Sequence, residues 1–205
     1  MAYTSLEEQE INEIKNFWKE NGKTIIVSAI IAIAGVFGWR YWQDYQIAKN
    51  HELSAQYDRV IYEFQQDPSK APALAEFVKT NGKTSYATLA LFEQAKAAVD
   101  KQDFAQAETI LKQAITESPD EIFSSIAALR LANVQFQLKE FDAAQQSLDL
   151  VKDATWNVRK QLLTGDILFA KGDKAAAKAQ YEEAKKSGMA SALEQQLLQV
   201  RLNNL

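Results

Sequence analysis

The amino-acid sequence predicts an all-α protein in which one membrane-spanning helix is followed by a solenoid of stacked helical hairpins and a capping helix. The first observation is an uncharged apolar stretch near the N-terminus, between Lys23 and Arg40. The second is that Ala, Leu, Gln, Glu and Lys dominate the rest of the chain, which has no strand-type alternation. The third is that breaks such as Asn81-Gly82 and Ser118-Pro119 separate blocks of roughly 12 to 18 residues, the usual length of paired solenoid helices.

The stretch from Thr24 to Trp39 has the composition of a membrane anchor. As a helix it spans about 24 Å, slightly less than a hydrocarbon core of about 30 Å. Charged side chains at both ends can extend towards the headgroups, and an aromatic cluster typical of the membrane interface follows, formed by Trp39, Tyr41, Trp42 and Tyr45. We therefore expect a leader at residues 1–23 and a transmembrane anchor at residues 24–42.

Two other interpretations of this stretch stay open. It could be the buried core helix of a soluble protein, although no other segment is apolar enough to surround it. It could also be a cleaved secretory signal, because Ala32-Ile33-Ala34 resembles a cleavage site after a short apolar run. Against a signal, the leader before Lys23 is long and mixed in charge, and the apolar run continues beyond Ala34.

The charges beside the anchor predict its orientation. Lys15, Lys19 and Lys23 precede it, whereas Arg40 and Lys49 follow it, which is a weak bias towards a cytoplasmic N-terminus. Residues 43–205 would then form an exported domain. The absence of cysteine fits a compartment where thiols oxidise. The inverse orientation, with a cytoplasmic domain, stays open.

Charge and composition argue against nucleic-acid binding and catalysis. Lys and Arg number 23 against 27 Asp and Glu, and they are scattered in mixed sign, so we expect no nucleic-acid partner. The chain has one histidine, His51, no cysteine, and no glycine-rich phosphate loop. We expect no catalytic residue, no metal site and no cofactor, which leaves binding as the remaining function for stacked hairpins.

Internal repetition appears when the segments that begin at Gln94 and Leu131 are aligned. At this offset of 37 residues the apolar positions coincide, with Ala95 on Ala132, Phe104 on Phe141, Ala107 on Ala144 and Leu111 on Leu148. A further offset of 33 residues places Ala132 on Gly165, Glu140 on Asp173, Ala144 on Ala177, Leu148 on Tyr181 and Val151 on Ala184. Small residues at such positions mark where the two helices of a hairpin approach most closely.

The turns between these helices contain DFAQA, from Asp103, and EFDAA, from Glu140. They resemble the tetratricopeptide repeat, in which a D-[YF]-x-x-A turn recurs about every 34 residues. The third copy, from Gly172, has Lys174 in place of the aromatic residue. The resemblance implies a degenerate hairpin at residues 50–80, repeats at about 88–121, 125–156 and 158–188, and a polar-faced capping helix at 190–205.

Further features extend over the whole chain: an acidic leader, GWRYW (Gly38 to Trp42) at the end of a lone anchor, the segment TSYATLALFEQAKAAVDK, and a closing RLNNL. Together they resemble the inner-membrane ancillary subunits of the bacterial Sec translocon. The resemblance implies a single-pass protein of the bacterial inner membrane, with a cytoplasmic N-terminus and a periplasmic repeat domain. It also implies partners, namely Sec translocon subunits, a membrane-anchored periplasmic chaperone related to peptidyl-prolyl isomerases, and secreted client proteins.

The resemblance and the repeats together predict a non-enzymatic adaptor or chaperone-like subunit beside the translocon. The alternative is a scaffold for another cell-envelope assembly machine, which would use the same fold and topology. Partner identity separates the two hypotheses.

The first helices of such an array line a concave groove whose exposed side chains are free to vary. Counting from the small residue of each repeat predicts a mixed apolar and polar lining, formed by Leu89, Phe92, Glu93, Lys96, Ile126, Arg130, Asn133, Gln137, Arg159, Leu163, Asp166 and Phe169. A surface of this kind holds an extended or helical segment of another protein. The alternative for each residue is packing against a neighbouring repeat.

The predicted anchor also has a face of small residues. Ser28, Ala32 and Gly35 lie at positions i, i+4 and i+7, which lets another membrane helix approach closely. Small residues are common in membrane helices for other reasons, so this face has an alternative explanation as well.

Overall fold

A computed structural model describes residues 5–205, with side chains from residue 8. Residues 1–4 of the predicted leader lie outside the described part of the chain. Within the described range there are helices and turns and no strand, so the all-α prediction is confirmed. The helices are α1 (Ser5–Gln66), α2 (Ala71–Thr80), α3 (Ser85–Asp100), α4 (Phe104–Glu117), α5 (Glu121–Gln137), α6 (Phe141–Asp149), α7 (Asn157–Ala170), α8 (Lys174–Lys186) and α9 (Ala192–Asn203). Short 3-10 helices at Pro68–Lys70 and Ala154–Trp156 precede α2 and α7.

The chain divides into an N-terminal unit that ends at Leu53 and a C-terminal unit that begins at Ser54. In the N-terminal unit, α1 carries the apolar stretch, and its large side chains are exposed, among them Ile30, Val36 and Phe37. A core helix would bury them, so the interpretation as a buried core helix is wrong. Among the described helices, α1 alone is long and apolar enough to cross a membrane, by length and composition.

In the C-terminal unit, consecutive helices pair as hairpins. α3 packs against α4, α5 against α6, and α7 against α8, and each second helix also contacts the first helix that follows it. Before them, the end of α1 and α2 form a leading hairpin, in which the ring of Tyr57 lies 6.2 Å from that of Phe77 and 5.4 Å from that of Tyr86 on α3. The prediction of an α-hairpin array is therefore confirmed.

The positions matched by the alignment form the hairpin seams, by which we mean the lines where a first and a second helix meet. The first helices bury Ala95, Ala132 and Gly165, and the second helices bury Leu111, Leu148 and Tyr181 at the corresponding positions. The third seam leaves no room for a side chain on the first helix, because a Cβ atom added to Gly165 would lie 2.7 Å from Cδ1 and 2.8 Å from Cζ of Tyr181.

The three hairpin turns share one conformation. Each begins with a residue of positive φ, namely Gln102 (60°), Lys139 (62°) and Gly172 (91°). The residue after each of them donates its N–H back across the end of the first helix, at 2.9 Å from Asp103 to Ala98, 2.8 Å from Glu140 to Gln135 and 2.9 Å from Asp173 to Leu168. This is the Schellman pattern of helix termination. It explains why the D-F-x-x-A turn recurs at the repeat period.

Those same residues begin the second helices. The side chain of Asp103 accepts a hydrogen bond from the backbone N–H of Gln106 at 3.0 Å, and that of Asp173 accepts one from Ala176 at 2.9 Å. Each carboxylate thereby satisfies an N–H group that has no partner within its helix. Glu140 occupies the middle turn without such a bond.

α9 lies at the end of the array, where the capping helix was predicted, but its outward side is not polar. It begins with a capping box, in which Ser191 and Glu194 exchange hydrogen bonds, and it buries Leu198 against the core of the third hairpin. Its outward side exposes Leu193, Leu197 and Val200. Two of its charged side chains, Glu194 and Arg201, form hydrogen bonds with α7.

Candidate protein-binding groove

The first helices position most of the predicted groove residues around two cavities. The central cavity, of about 400 Å³, lies between α5, α7 and α9, and it is lined by predicted residues Ile126, Arg130, Asn133, Arg159, Leu163 and Asp166. The lateral cavity, of about 340 Å³, lies between α3, α4 and α5, and it adds Phe92, Lys96 and Gln137. Arg130 and Asn133 line both cavities. Side chains from α3 to α9 therefore form one continuous surface, which we call the groove.

Three further predicted residues, Phe169, Glu93 and Leu89, line neither the central nor the lateral cavity. Phe169 and Asp166 line a third cavity of about 240 Å³ beside Tyr181, and Glu93 lies beside Lys96 at the α3 end. Leu89 is half-buried and lines none of the cavities described here. The prediction of an exposed contact at Leu163 is wrong, because Leu163 is buried within the core of the second hairpin. It forms the floor of the central cavity.

Arg130 is held against the α3 side of the groove. Its guanidinium carbon lies 4.2 Å from the centre of the Phe92 ring, which is a favourable cation–π distance. Burial lowers the pKa of Arg130, and attraction to Glu93 opposes that shift. Phe92 is itself buried beneath the guanidinium. A partner at this point would therefore meet Arg130 and not the phenyl ring that the sequence placed there.

Arg159 connects the groove to α9. Its Nε donates to Glu194 Oε1 at 2.9 Å, and its guanidinium carbon lies 5.4 Å from the centre of the Trp156 ring. Burial alone raises the pKa of Glu194, but hydrogen bonds from Ser191 and Arg159, together with the charge of Arg159, outweigh burial and leave that pKa lowered. Glu194 therefore stays ionised at neutral pH.

Asp166 makes a second bridge to α9. Arg201 donates from Nε to Oδ1 at 2.7 Å and from Nη2 to Oδ2 at 3.2 Å, while the Tyr181 hydroxyl donates to the same Oδ1 at 2.7 Å. Burial is the main cause that raises the pKa of Tyr181, and the bond to Asp166 adds to it. The bond to Asp166 likewise raises the pKa of Arg201. The predicted groove residue Asp166 thus has a structural role.

Sequence reasoning missed the contribution of α9. Leu193, Glu194 and Leu197 line the central cavity, and Trp156 joins them from the turn before α7. A signal for α9 existed, because KQLL (from Lys160) and QQLL (from Gln195) align at an offset of 35 residues.

The small-residue face of the predicted anchor has a simple geometry. Ser28, Ala32 and Gly35 are all exposed on α1, and a Cβ atom added to Gly35 would meet nothing within 4 Å. A close helix partner for this face stays a prediction. His51 is exposed as well, and the described residues contain no group of three or more His, Asp or Glu that could hold a metal ion.

Comparisons with known proteins bear on the whole chain. A family model described as a tetratricopeptide repeat-like domain matches residues 15–205. Proteins named ancillary SecYEG translocon subunit are similar over all of both chains, with 55% identity over 206 residues in Aggregatibacter actinomycetemcomitans and 53% in Haemophilus influenzae. The chain belongs to this family. A further ancillary SecYEG translocon subunit, from Escherichia coli, is 34% identical over 200 residues, which cover 97% of this chain and 96% of the relative.

Membership of the ancillary SecYEG translocon subunit family confirms the resemblance that GWRYW, the repeats and the closing RLNNL predicted. No solved structure is significantly similar to this chain. The groove of this family member is therefore described from its own residues.

Proposed function

We propose that this chain is a non-enzymatic, membrane-anchored adaptor that binds other proteins on the periplasmic side of the Sec translocon. The observation that carries the proposal is full-length similarity to proteins named ancillary SecYEG translocon subunit. Residues 24–42 act as the anchor, and the C-terminal unit presents its groove. Binding is the whole function, because the groove offers packing surface and fixed charges instead of a reactive group.

The groove fits a segment of another protein. Apolar side chains such as Ile126, Leu162 and Leu197 line the central cavity beside Arg130 and Asn133. A peptide can bury its own apolar side chains there while the polar groups fix its direction, as in other recognition by stacked helices. The ion pairs between α7 and α9 hold the walls in place before the ligand arrives, which reduces the entropy lost on binding.

Two classes of ligand follow from the family resemblance. The first is a membrane-anchored periplasmic chaperone related to peptidyl-prolyl isomerases, which would form a lasting complex. The second is a secreted client that leaves the channel in an extended form. Both are proteins confined close to the same membrane surface, so modest affinity for the groove is sufficient for binding.

Site-specific photocrosslinking in intact cells tests the proposal. A photoreactive residue at Asn133, which lines both cavities, is expected to capture translocon subunits or a periplasmic folding factor. The matched control is Gln113, an exposed residue of the second helix α4, which is expected to capture far less. Recovery of neither class of protein from Asn133, or equal recovery from Gln113, contradicts a binding groove. Recovery of components of another envelope assembly machine would support the scaffold hypothesis instead.

The orientation has its own test. Fusion of alkaline phosphatase after Leu205 is expected to give an active enzyme, because that phosphatase matures only after export, when its disulfides form. An inactive fusion with an intact chain would place the repeat domain in the cytoplasm. Extraction with alkaline carbonate is expected to leave the chain in the membrane pellet, whereas release would contradict the anchor and favour the interpretation as a cleaved signal.

A further inference from the structure

α9 contacts α7 in the way that each first helix contacts the next one along the array. Arg159 pairs with Glu194 and Asp166 pairs with Arg201, and each pair joins residues that are 35 positions apart. One constant offset means that α9 occupies, relative to α7, the position that one first helix takes beside the next. The paired charges are reversed between the two helices, which fixes the register of α9 along α7.

In α7, the side that faces its second helix is covered. Val158 lies in one buried cluster with Ala177 and Tyr181 of α8, Leu162 packs against that cluster, and Gly165 lies directly beneath the Tyr181 ring. The offset of 35 carries Val158, Leu162 and Gly165 to three positions on the outward side of α9.

Those positions in α9 are Leu193, Leu197 and Val200, which are 65%, 39% and 47% exposed. We call them the end face, and two of them, Leu193 and Leu197, also line the central cavity of the groove. No helix of the described residues covers the end face, although α8 covers the same positions in α7. Apolar side chains at i, i+4 and i+7 that lack a covering helix are typical of a surface where an amphipathic helix binds.

We propose that an amphipathic helix of a partner protein docks on the end face and completes the fourth hairpin. The repeats themselves indicate the chemistry of that helix. The second helices α4 and α8 bury a small, a large and a small residue at i, i+4 and i+7, which are Ala107, Leu111 and Ala114 in α4 and Ala177, Tyr181 and Ala184 in α8. The partner helix carries the same small-large-small stripe and a polar outer side.

A second copy of this chain fits the end face less well. α9 has 12 residues, so an apolar stripe along it covers roughly 200 Å² at 1.5 Å rise per residue and a helix width of about 10 Å. A stable dimer needs about 800 Å² from each subunit. A second copy also offers neither α4 nor α8 as a free stripe of the required kind, because both stripes are already buried within their own hairpins. A helix from a different protein can present such a stripe and continue the packing that joins α7 to α8. Such a contact is weak by itself, and it relies on the proposed function, because a partner held in the same membrane has a high local concentration.

Crosslinking from the end face tests this inference. A photoreactive residue at Val200 is expected to attach to one helix of a partner protein, at residues spaced three, four or seven apart. The control is Ala179, an exposed residue of α8, which is expected to give no such pattern. Attachment of Val200 to a second copy of this chain, to lipid, or to scattered unstructured sites overturns the proposal.

A charge variant separates the end face from the groove. Val200→Glu is expected to lower crosslinking from position 196, an exposed glutamine one helical turn before it, at least tenfold, while crosslinking from Asn133 is unchanged. Val200 and Gln196 do not line the central cavity. The matched control, Val200→Ile, is expected to keep the yield, and unchanged thermal melting verifies that both variants fold. Loss at position 196 in both variants, or in neither, contradicts a docked helix. Failure of Asn133 to crosslink in the unmodified chain contradicts the proposed function instead.

Discussion

The first two hairpins and the third solve the same packing problem with different residues. In the first two, an alanine on the first helix faces a leucine position on the second, as in Ala95 with Leu111 and Ala132 with Leu148. In the third, the first helix has Gly165 and the second has Tyr181, whose ring is fully buried. What the repeats share is therefore the total volume at the seam, since one methyl group removed from α7 makes room for a larger ring from α8.

The larger ring brings a polar group into the third seam. The Tyr181 hydroxyl donates to Asp166, which also accepts from Arg201 of α9. The leucines of the other seams have no such group. The exchange of Ala and Leu for Gly and Tyr thus joins three helices by hydrogen bonds at the point where α9 packs against the third hairpin.

The largest effect is expected from Gly165→Ala. The new methyl group would lie 2.7 Å from Cδ1 of Tyr181, so the helices must separate or the ring must leave its buried position. Overpacking of this kind lowers the free energy of unfolding by about 3 kcal/mol, measured by urea denaturation of the repeat domain.

The compensating change sharpens this prediction. Adding Tyr181→Leu to Gly165→Ala recreates the seam of the first two hairpins, so the double variant is expected to be more stable than Gly165→Ala alone. A coupling free energy of about 1–3 kcal/mol between the two positions is expected from such a cycle. Additive effects would show that the seams are not equivalent.

A smaller effect is expected from the hydroxyl of Tyr181. Burial and the neighbouring Asp166 raise the pKa of this phenol above its ordinary value of 10.0. Its contribution to stability is therefore fully present below pH 10 and is lost as the pH rises through the raised pKa, because unfolding releases a phenol that ionises more readily.

Tyr181→Phe is the control for that pH dependence. It removes one hydrogen bond and is expected to cost about 1 kcal/mol at neutral pH. Above pH 10 its unfolding free energy is expected to fall less steeply than that of the unmodified chain, as followed by urea denaturation at a series of pH values. Equal slopes would mean that Tyr181 does not titrate with unfolding.

Much of this fold could be predicted because the repeat pattern records packing. The alignment of Leu148 with Tyr181 identifies buried seam positions from the sequence alone, since close helix packing demands small residues at fixed intervals. The groove was less predictable. Leu163 and Phe92 occupy predicted groove positions, yet Leu163 lies in the core and Phe92 lies beneath Arg130. The reason is that the rotation of each helix about its axis depends on neighbouring helices, which a count along one helix leaves out.

α9 shows a different limit of sequence reasoning. The need for an array to end in water predicts a polar-faced cap, but Glu194 and Arg201 of α9 pair with Arg159 and Asp166 on α7. Charge pairs between helices 35 residues apart are not visible in the pattern of either helix alone. They become visible when the repeat offset is applied across the end of the array.

The smallest effect is expected at the turns, where the third hairpin again differs from the first two. Lys139 adopts φ of 62°, whereas Gly172 occupies the equivalent turn at 91°. A left-handed conformation destabilises a residue with a Cβ atom by about 1–2 kcal/mol. Glycine avoids this steric cost, but it loses roughly 0.5–1 kcal/mol of conformational entropy on folding. Lys139→Gly is therefore expected to raise the free energy of unfolding by about 0.5 kcal/mol, seen as a small increase in melting temperature. Gly172→Ala is the opposite change and is expected to lower stability. If Lys139→Gly were destabilising while Gly172→Ala had no effect, the shared turn conformation would not explain why glycine is present in the third hairpin.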